Sequence, residues 1–190
     1  MRVPRRTLAV LLGVTFAAQP AVANAALLVH RDPAGDVVRS PVGSSAGTPT
    51  PTQVDGDIVA TRVLHARRAI WIQVRFRDLA TKGNGNFHRI SIRTPWRTRT
   101  IALNAFPGHW EGTATTADGH GRVVACAVTH LIDYDRNRVK IRVPRPCLGK
   151  PQWVRVAIRS TVAGTTYAYT DDAHSPGLPP GPVYGRRIPL

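Results

Sequence analysis

Glutamate and lysine are almost missing from this chain of 190 residues. Glu111 is the only glutamate, and Lys82, Lys140 and Lys150 are the only lysines. Because these residue types usually supply the solvent faces of long helices, their scarcity argues against a fold built from amphipathic helices. With 43% apolar and only 19% charged residues, the chain has the composition of one folded domain rather than of a disordered polyelectrolyte.

Common catalytic motifs are scarce as well. The chain contains no His-Glu-x-x-His pair and no glycine-rich phosphate loop, and the spacing of its seven histidines fits no metal motif. A single glutamate offers no glutamate pair for glycoside hydrolysis. We therefore predict a protein that is not an enzyme. An uncharacterised enzyme is kept as the third alternative, because catalytic triads assemble from residues that are distant in sequence.

Long hydrophobic runs are confined to the N-terminus. Three arginines precede an apolar stretch at 8–18, and small residues ending at Ala23 or Ala25 supply a cleavage site. This order predicts that residues 1–25 are a secretory signal peptide and that the mature protein is secreted without a membrane span. The alternative is an N-terminal anchor that stays attached. Removing three arginines lowers the formal charge from +15 to +12, so the mature chain stays strongly basic.

The chain has only two cysteines, Cys126 and Cys147. In an oxidising compartment an even number of cysteines predicts a disulfide, and closing this loop should contribute about 3 kcal/mol to stability. Two buried free thiols are the alternative. Between the two cysteines, Asp135-Arg136-Asn137 predicts a turn, so we expect a hairpin with the disulfide near its open end.

Apolar and polar residues alternate with a period of two through most of the remaining chain, as they do in half-buried strands. About nine strands are predicted, at 58–64, 70–76, 89–93, 98–103, 110–115, 123–131, 139–143, 154–159 and 165–170. No segment has a sustained helical period. We expect an all-β fold, an antiparallel β-sandwich of the jelly-roll or immunoglobulin-like kind.

The domain organisation follows from composition. Residues 26–174 are expected to form a single sandwich domain. The stretch 40–53, rich in Ser, Gly, Thr and Pro, is expected to be a flexible loop. Residues 175–190 are expected to be a proline-rich tail outside any sheet.

Three segments resemble a known family. Asp32-Pro33-Ala34-Gly35-Asp36, Asp57-Ile58 with Thr61-Arg62-Val63, and Val74-Arg75-Phe76-Arg77-Asp78-Leu79 resemble the opening of family 9 carbohydrate-binding modules and related DOMON-like domains. The resemblance covers about the first third of the mature chain. It implies a jelly-roll sandwich, structural aspartates at Asp32, Asp36 and Asp57, and a binding function.

The aspartates fall into loop clusters. Asp32 and Asp36 flank a turn, Asp57 follows Gly56, and Asp171 and Asp172 follow the last predicted strand. If the first and last strands pair, these carboxylates converge, and converging carboxylates on loops suit a structural Ca²⁺. The alternative is ordinary turn aspartates that accept hydrogen bonds from nearby backbone N–H groups.

Basic residues dominate the solvent side of the predicted strands. These positions are Arg75, Arg77, Arg89, Arg93, Lys140, Arg142, Arg155 and Arg159, with Trp71 and Trp153 in the same phase. A basic sheet face with aromatics predicts binding of a polysaccharide or an anionic cell-wall polymer, and not of nucleic acid. The candidate ligand-binding residues are Trp71, Arg75, Arg77, Trp153 and Arg155 on strands, and Trp96 and Trp110 near loops.

Two other interpretations of these residues stay open. The basic faces can be simply solvated, with the tryptophans packed on arginine stems or covered by loops. In that case the protein is a structural or protein-interaction domain with no small ligand.

Overall fold

The computed structural model describes residues 25–44 and 46–190, so nearly all of the predicted signal peptide lies outside the described residues. In this part of the chain the secondary structure is strands and one 3₁₀ turn, Arg145–Leu148. The strands are β1 (Ala26–Arg31), β2 (Val38–Pro41), β3 (Thr48–Pro49), β4 (Ile58–His65), β5 (Ala69–Phe76), β6 (Gly85–Arg93), β7 (Thr98–Phe106), β8 (His109–Asp118), β9 (Thr129–Asp133), β10 (Arg138–Pro144), β11 (Trp153–Ala163), β12 (Tyr167–Asp172) and β13 (Ile188–Pro189). The described ranges hold no helix long and apolar enough to cross a membrane.

Two antiparallel sheets pack face to face. The five-stranded sheet has the order β1-β4-β5-β10-β9. The eight-stranded sheet has the order β3-β2-β12-β11-β6-β7-β8, and β13 pairs with β11. The predicted all-β antiparallel sandwich is therefore confirmed.

Alternation along the strands builds the core. On β5, Ile70, Ile72 and Val74 are buried, while Trp71 and Arg75 between them are exposed. The inner residues of β6, β7, β10 and β11 join the same apolar cluster from both sheets. Because neighbouring residues of a strand point to opposite faces, the core leaves each sheet with one outward face for other contacts.

The nine predicted strands correspond to β4 to β12, with one substantial difference. The predicted strand at 123–131 begins only at Thr129. Residues 123–128 connect β8 in one sheet to β9 in the other, so only an isolated bridge from Val123 to Ala117 forms there. The strands not predicted are β1, β2, β3 and β13. The last three have four residues or fewer, and β2 and β13 pair with β12 and β11, which are distant in sequence.

The loop and the tail are both more structured than expected. The stretch 40–53 begins inside β2 and contains β3, which pairs with β2. The tail, expected outside any sheet, ends in β13, where Ile188 and Pro189 pair with Val154 and Trp153. This pairing is compatible with proline because β13 is a two-residue edge strand, and it places Ile188 in the core.

The predicted hairpin and disulfide are confirmed. β9 and β10 pair through residues 129–133 and 138–142, with Asn137 in the left-handed region (φ 48°) at the turn. Cys126 and Cys147 are bonded just beyond the open end of this hairpin, with their Cα atoms 5.6 Å apart. The disulfide thus ties the segment entering β9 to the 3₁₀ turn that follows β10.

Candidate binding face and carboxylate cluster

The solvent side of the five-stranded sheet is the first candidate site. Register places three rows of side chains across the sheet, because residues opposite each other on neighbouring strands share a face. In the strand order given above, the rows are Leu27, Leu64, Trp71, Arg142 and Thr129; Val29, Arg62, Gln73, Lys140 and Leu131; and Arg31, Ala60, Arg75, Arg138 and Asp133. We call this surface the Trp71 face.

Trp71 lies on the middle strand of this face. Its side chain is 50% exposed, and the guanidinium of Arg142 lies over its ring at 5.5 Å from the centroid. A depression of about 510 Å³ surrounds Trp71, and its lining includes Arg62, Lys140 and Leu27. The face therefore offers an aromatic surface next to several cations.

Charge on the Trp71 face is strongly one-sided. Asp133 is the only acidic residue in the three rows, and it is bonded to Arg138 with an N–O distance of 2.8 Å. Among the described residues, Arg62, Lys140 and Arg142 have no acidic group within 4.0 Å. Three uncompensated cations thus border the exposed tryptophan.

Two predicted ligand-binding residues, Trp153 and Arg155, lie on the opposite sheet. The guanidinium of Arg187, in the tail, covers the ring of Trp153 at 4.4 Å. Arg155 donates hydrogen bonds to the carbonyl oxygens of Tyr184 and Gly185. These residues and Trp71 therefore do not share one surface. On this sheet the tryptophan is covered by an arginine, as in the alternative interpretation given above.

Trp96, Trp110 and Arg77 also lie away from the Trp71 face. Trp96 is 58% exposed in the turn between β6 and β7. Trp110 packs edge-on against Tyr134, whose hydroxyl donates to the Trp110 carbonyl, so this tryptophan closes one end of the core. Arg77 donates to Asp57 Oδ2 at 3.0 Å and belongs to the carboxylate cluster instead. Of the predicted ligand-binding residues, only Trp71 and Arg75 share this surface.

A cluster of carboxylates is the second candidate site. One carboxylate oxygen each from Asp32, Asp36 and Asp171 lie within 4.8 Å of one another. The Asp32 side chain is only 2% exposed, and its Oδ2 is buried without a hydrogen-bond partner among the described residues, as is Oδ1 of Asp36. Asp171 Oδ2 accepts a hydrogen bond from the backbone N–H of Ile58 at 2.6 Å. We call these three residues the aspartate triad.

Asp57 and Asp172 border the triad, and each has its own cation. Asp57 Oδ2 accepts hydrogen bonds from Arg77 and from the Gly35 N–H, while its Oδ1 is buried without a partner in the described part of the chain. Asp172 lies 3.3 Å from Arg159. All five predicted metal-binding aspartates are thus in one region, although only three of them converge closely.

The electrostatics of the triad disfavour three free carboxylates. Burial, followed by the neighbouring carboxylates of Asp171 and Asp36, raises the pKa of Asp32 to about 8. Burial is also the main cause that raises the pKa of Asp171 to about 7. Burial likewise raises the pKa of Asp36. Near neutral pH, charge in this cluster is therefore costly without a compensating cation.

Convergence arises in a different way from the one expected. The first and last long strands do not pair, since β1 belongs to the five-stranded sheet and β12 to the eight-stranded sheet. Instead, residues 32–37 carry the chain from β1 to β2, and β2 pairs with β12. This crossing brings Asp32 and Asp36 to the end of β12, where Asp171 lies.

One catalytic sequence pattern does occur in the chain. Residues 43–47 have the letters Gly-Ser-Ser-Ala-Gly of a hydrolase nucleophile elbow. That elbow requires a strand, a sharp turn and a following helix, whereas this segment joins the antiparallel strands β2 and β3, and Ser45 lies outside the described residues. The described residues on either side of Ser45 therefore do not have the strand–turn–helix context of a nucleophile elbow.

Comparison with known proteins adds no further information. No family model, curated protein or solved structure matches the chain. The resemblance to carbohydrate-binding modules stays a prediction, and function must be argued from the two sites themselves.

Proposed function

We propose that the protein is a secreted, non-catalytic binding module whose Trp71 face binds an anionic polysaccharide, such as an anionic cell-wall polymer. The observation that carries this proposal is the half-exposed ring of Trp71 bordered by cations without acidic partners. A sugar ring can stack on the indole, while carboxylate, phosphate or sulfate groups of the polymer pair with the arginines.

The shape of the face supports an extended ligand rather than a small one. The site is an open depression on a sheet, not an enclosed cavity, and residues of all five strands line it. Strands about 4.8 Å apart make such a sheet about 19 Å wide. A polymer lying across the strands would therefore contact Trp71 at its centre and cations on both sides.

Charge also argues for an anionic polymer over a neutral one. Arg62 and Lys140 lie in the row next to Trp71, and Arg142 lies beside it in the same row. Surface cations that have no protein partner attract polyanions, and this attraction weakens as salt screens it. Binding is therefore expected to combine a salt-sensitive part from the cations with a salt-resistant part from Trp71.

A protein-interaction module is the alternative, and one observation favours it. Leu27, Val29 and Leu131 are each about half exposed on the same face. Apolar residues grouped on a sheet surface are typical of protein contacts. They lie on the two edge strands, however, whereas the centre of the face holds the tryptophan and the cations.

The proposal is tested by retention of purified protein on insoluble cell wall and on acidic and neutral polysaccharides, across a salt series. We expect retention on acidic polymers that falls with salt, and little on neutral ones. Trp71→Ala should weaken binding about tenfold at every salt concentration, which corresponds to about 1.4 kcal/mol. The double change Arg62→Gln with Lys140→Gln should weaken binding at low salt and flatten its salt dependence.

Trp96→Ala is the matched control, because Trp96 is a tryptophan of similar exposure away from the Trp71 face. Equal losses from the Trp71 and Trp96 variants would contradict the proposed site. If none of the polymers retains the protein, the protein-interaction alternative is favoured.

A further inference from the structure

The aspartate triad joins segments that are far apart in the sequence and belong to both sheets. Asp32 follows β1 of the five-stranded sheet, and Asp171 lies near the end of β12 in the eight-stranded sheet. Asp36 lies on the crossing between them, directly before Val37 and β2. A ligand shared by these three carboxylates would therefore connect the two sheets at this end of the sandwich.

No arginine or lysine compensates the triad. The chain has 26 lysines and arginines, yet among the described residues none lies within 4.0 Å of a carboxylate oxygen of Asp32, Asp36 or Asp171. The nearest cationic candidate is His30, whose Nε2 is 4.0 Å from Asp32 Oδ1 and charged only when protonated. In contrast, Arg77 and Arg159 neutralise the bordering Asp57 and Asp172.

Asp32 adds an observation independent of the clustering. Its side chain is 2% exposed, lies within the triad, and has an oxygen that no described residue contacts by a hydrogen bond. A buried carboxylate oxygen without a donor is costly, and native proteins normally satisfy such a group with a donor, a water or an ion. The turn interpretation does not account for Asp32, because a turn aspartate would accept backbone N–H groups.

We propose that Asp32, Asp36 and Asp171 form a divalent-cation site and that its ion is Ca²⁺. Carboxylate oxygens are hard ligands, and Ca²⁺ takes several of them at 2.3–2.6 Å in flexible geometry. The three carboxylate oxygens all lie within 4.8 Å of one another, which is close enough for one such ion to contact all three. Asp57 Oδ1, which is buried and has no hydrogen-bond partner in the described ranges, is a fourth carboxylate oxygen in the same region.

The site is structural rather than part of the Trp71 face. Asp32 and Asp171 are buried and Asp36 is partly exposed, and the three lie at a junction of loops and strand ends away from the rows of the Trp71 face. Binding to the folded chain alone stabilises that chain in proportion to the logarithm of the ion excess over Kd. The inference is independent of the proposed function, since it uses none of the residues of the Trp71 face.

Thermal unfolding of the purified protein after treatment with EDTA, followed by additions of Ca²⁺, Mg²⁺ or Zn²⁺, tests the site. At a hundredfold excess of Ca²⁺ over Kd, the melting temperature should rise by about 5–10 °C for a protein of this size. Mg²⁺ should raise it less, since the smaller ion demands nearly octahedral geometry and keeps its waters. Calorimetric titration of the EDTA-treated protein should give one Ca²⁺ per chain.

Asparagine variants separate the metal role from a turn role, because asparagine keeps a side-chain acceptor and loses the charge. Asp36→Asn and Asp171→Asn should remove the Ca²⁺ response. In EDTA they should melt at the same temperature as the parent or higher, since they relieve repulsion between buried carboxylates. Asp133→Asn is the control, because this aspartate is held by Arg138 at the surface, and the Ca²⁺ response should be retained.

The outcomes that overturn the site are clear. If none of the three ions changes the melting temperature, the three aspartates are turn residues and do not bind a metal. Stabilisation by Zn²⁺ alone would show that the site binds Zn²⁺ and not Ca²⁺. An equal Ca²⁺ response in the parent and the Asp36→Asn variant would place the ion elsewhere. If Asp171→Asn fails to fold because the Ile58 N–H contact is disturbed, Asp36→Asn, which is partly exposed, still decides the question.

Discussion

Arg142 on the five-stranded sheet and Arg155 on the eight-stranded sheet both point outward from strands with the same alternating pattern. Arg142 lies over an exposed tryptophan and has no acidic partner in the described part of the chain. Arg155 donates to two carbonyl oxygens of the tail. Its neighbour Arg159 donates to Pro179, again in the tail. Arg155 and Arg159 therefore hold the protein's own tail, whereas Arg142 remains free for a partner.

This difference shows that a basic strand face has no fixed role. The tail supplies carbonyl oxygens, which are acceptors that satisfy a guanidinium without an acid. Where the tail lies on the sheet, arginines contribute to stability. On the Trp71 face no segment of the described chain covers them, so the same residue type remains available to an external anion.

Removing the tail should have the largest effect on stability. A chain that ends at Ser175 loses the burial of Ile188, the β13 pairing and the hydrogen bonds of Arg155 and Arg159. Burial of one isoleucine contributes about 2 kcal/mol and each arginine hydrogen bond about 1.5 kcal/mol, so we expect a loss of at least about 4 kcal/mol. Urea unfolding measures this loss.

The corresponding change on the other sheet is Trp71→Ala. Because Trp71 is half exposed, we expect the free energy of unfolding of this variant to stay within about 1 kcal/mol of the parent value. Similar urea midpoints for the truncated chain and the parent would remove the contrast between the two faces.

Removing the disulfide tests the connection between the two sheets. Cys126 lies on the segment that leaves β8 in the eight-stranded sheet and enters β9 in the five-stranded sheet. Replacing Cys126 and Cys147 by serine should lower the free energy of unfolding by about 3 kcal/mol without abolishing the fold. Mass spectrometry with and without reduction establishes the bond in the parent. Two free thiols in the native protein would contradict the structure.

His88, buried in the interior between the two sheets, should give a smaller effect than the tail or the disulfide. Burial lowers the pKa of His88 to about 4, and its Nε2 has no partner among the described residues. The unfolded chain binds this proton near pH 6.5 and the folded chain only near pH 4. The stability due to the neutral ring is therefore present above pH 6.5 and is lost as pH falls toward 4, by about 1.4 kcal/mol at pH 5.5.

Urea unfolding of the parent and of His88→Gln from pH 7.5 to 4.5 isolates this contribution. The variant should lose less stability than the parent over that range, whatever its stability at pH 7.5. His120→Gln, which changes an exposed loop histidine, should follow the parent. The raised pKa values of Asp32 and Asp171 act in the opposite direction, but they are common to all three proteins and cancel in the comparison. Parallel pH profiles for the parent and His88→Gln would contradict the assignment.

Local features of the sequence were sufficient to predict most strands. Alternation in β5 and β10 identifies which side chains are buried, because the period of a strand is two whatever its partners. The turn at Asn137 likewise follows from nearby residues. The disulfide follows from the presence of two cysteines in a compartment that we expect to be oxidising. The short strands β2, β3 and β13 were not predicted, because two to four residues contain too little alternation to recognise.

The candidate sites were predicted in part. Asp32 and Asp171 were grouped from their positions beside turns and strand ends, and the structure brings them together, but through a crossing between sheets that no local pattern reveals. Trp71 and Trp153 were grouped because they have the same phase, yet they lie on different sheets. Phase determines the side of a strand and carries no information about which sheet the strand joins.

The amino-acid sequence by itself determined the β-class of the fold, the buried and exposed sides of its main strands, and the disulfide-linked hairpin, since each depends on short-range periodicity or spacing. Tertiary structure alone decided that the tail binds Arg155 and Arg159 of one sheet and that Trp71 lies on the other. It also decided that three aspartates converge with no compensating arginine or lysine among the described residues. These outcomes depend on pairings between residues more than a hundred positions apart, such as Asp171 with Ile58 and Ile188 with His65. Such pairings are set by how two sheets bury their apolar faces against each other, which no local stretch of the chain specifies.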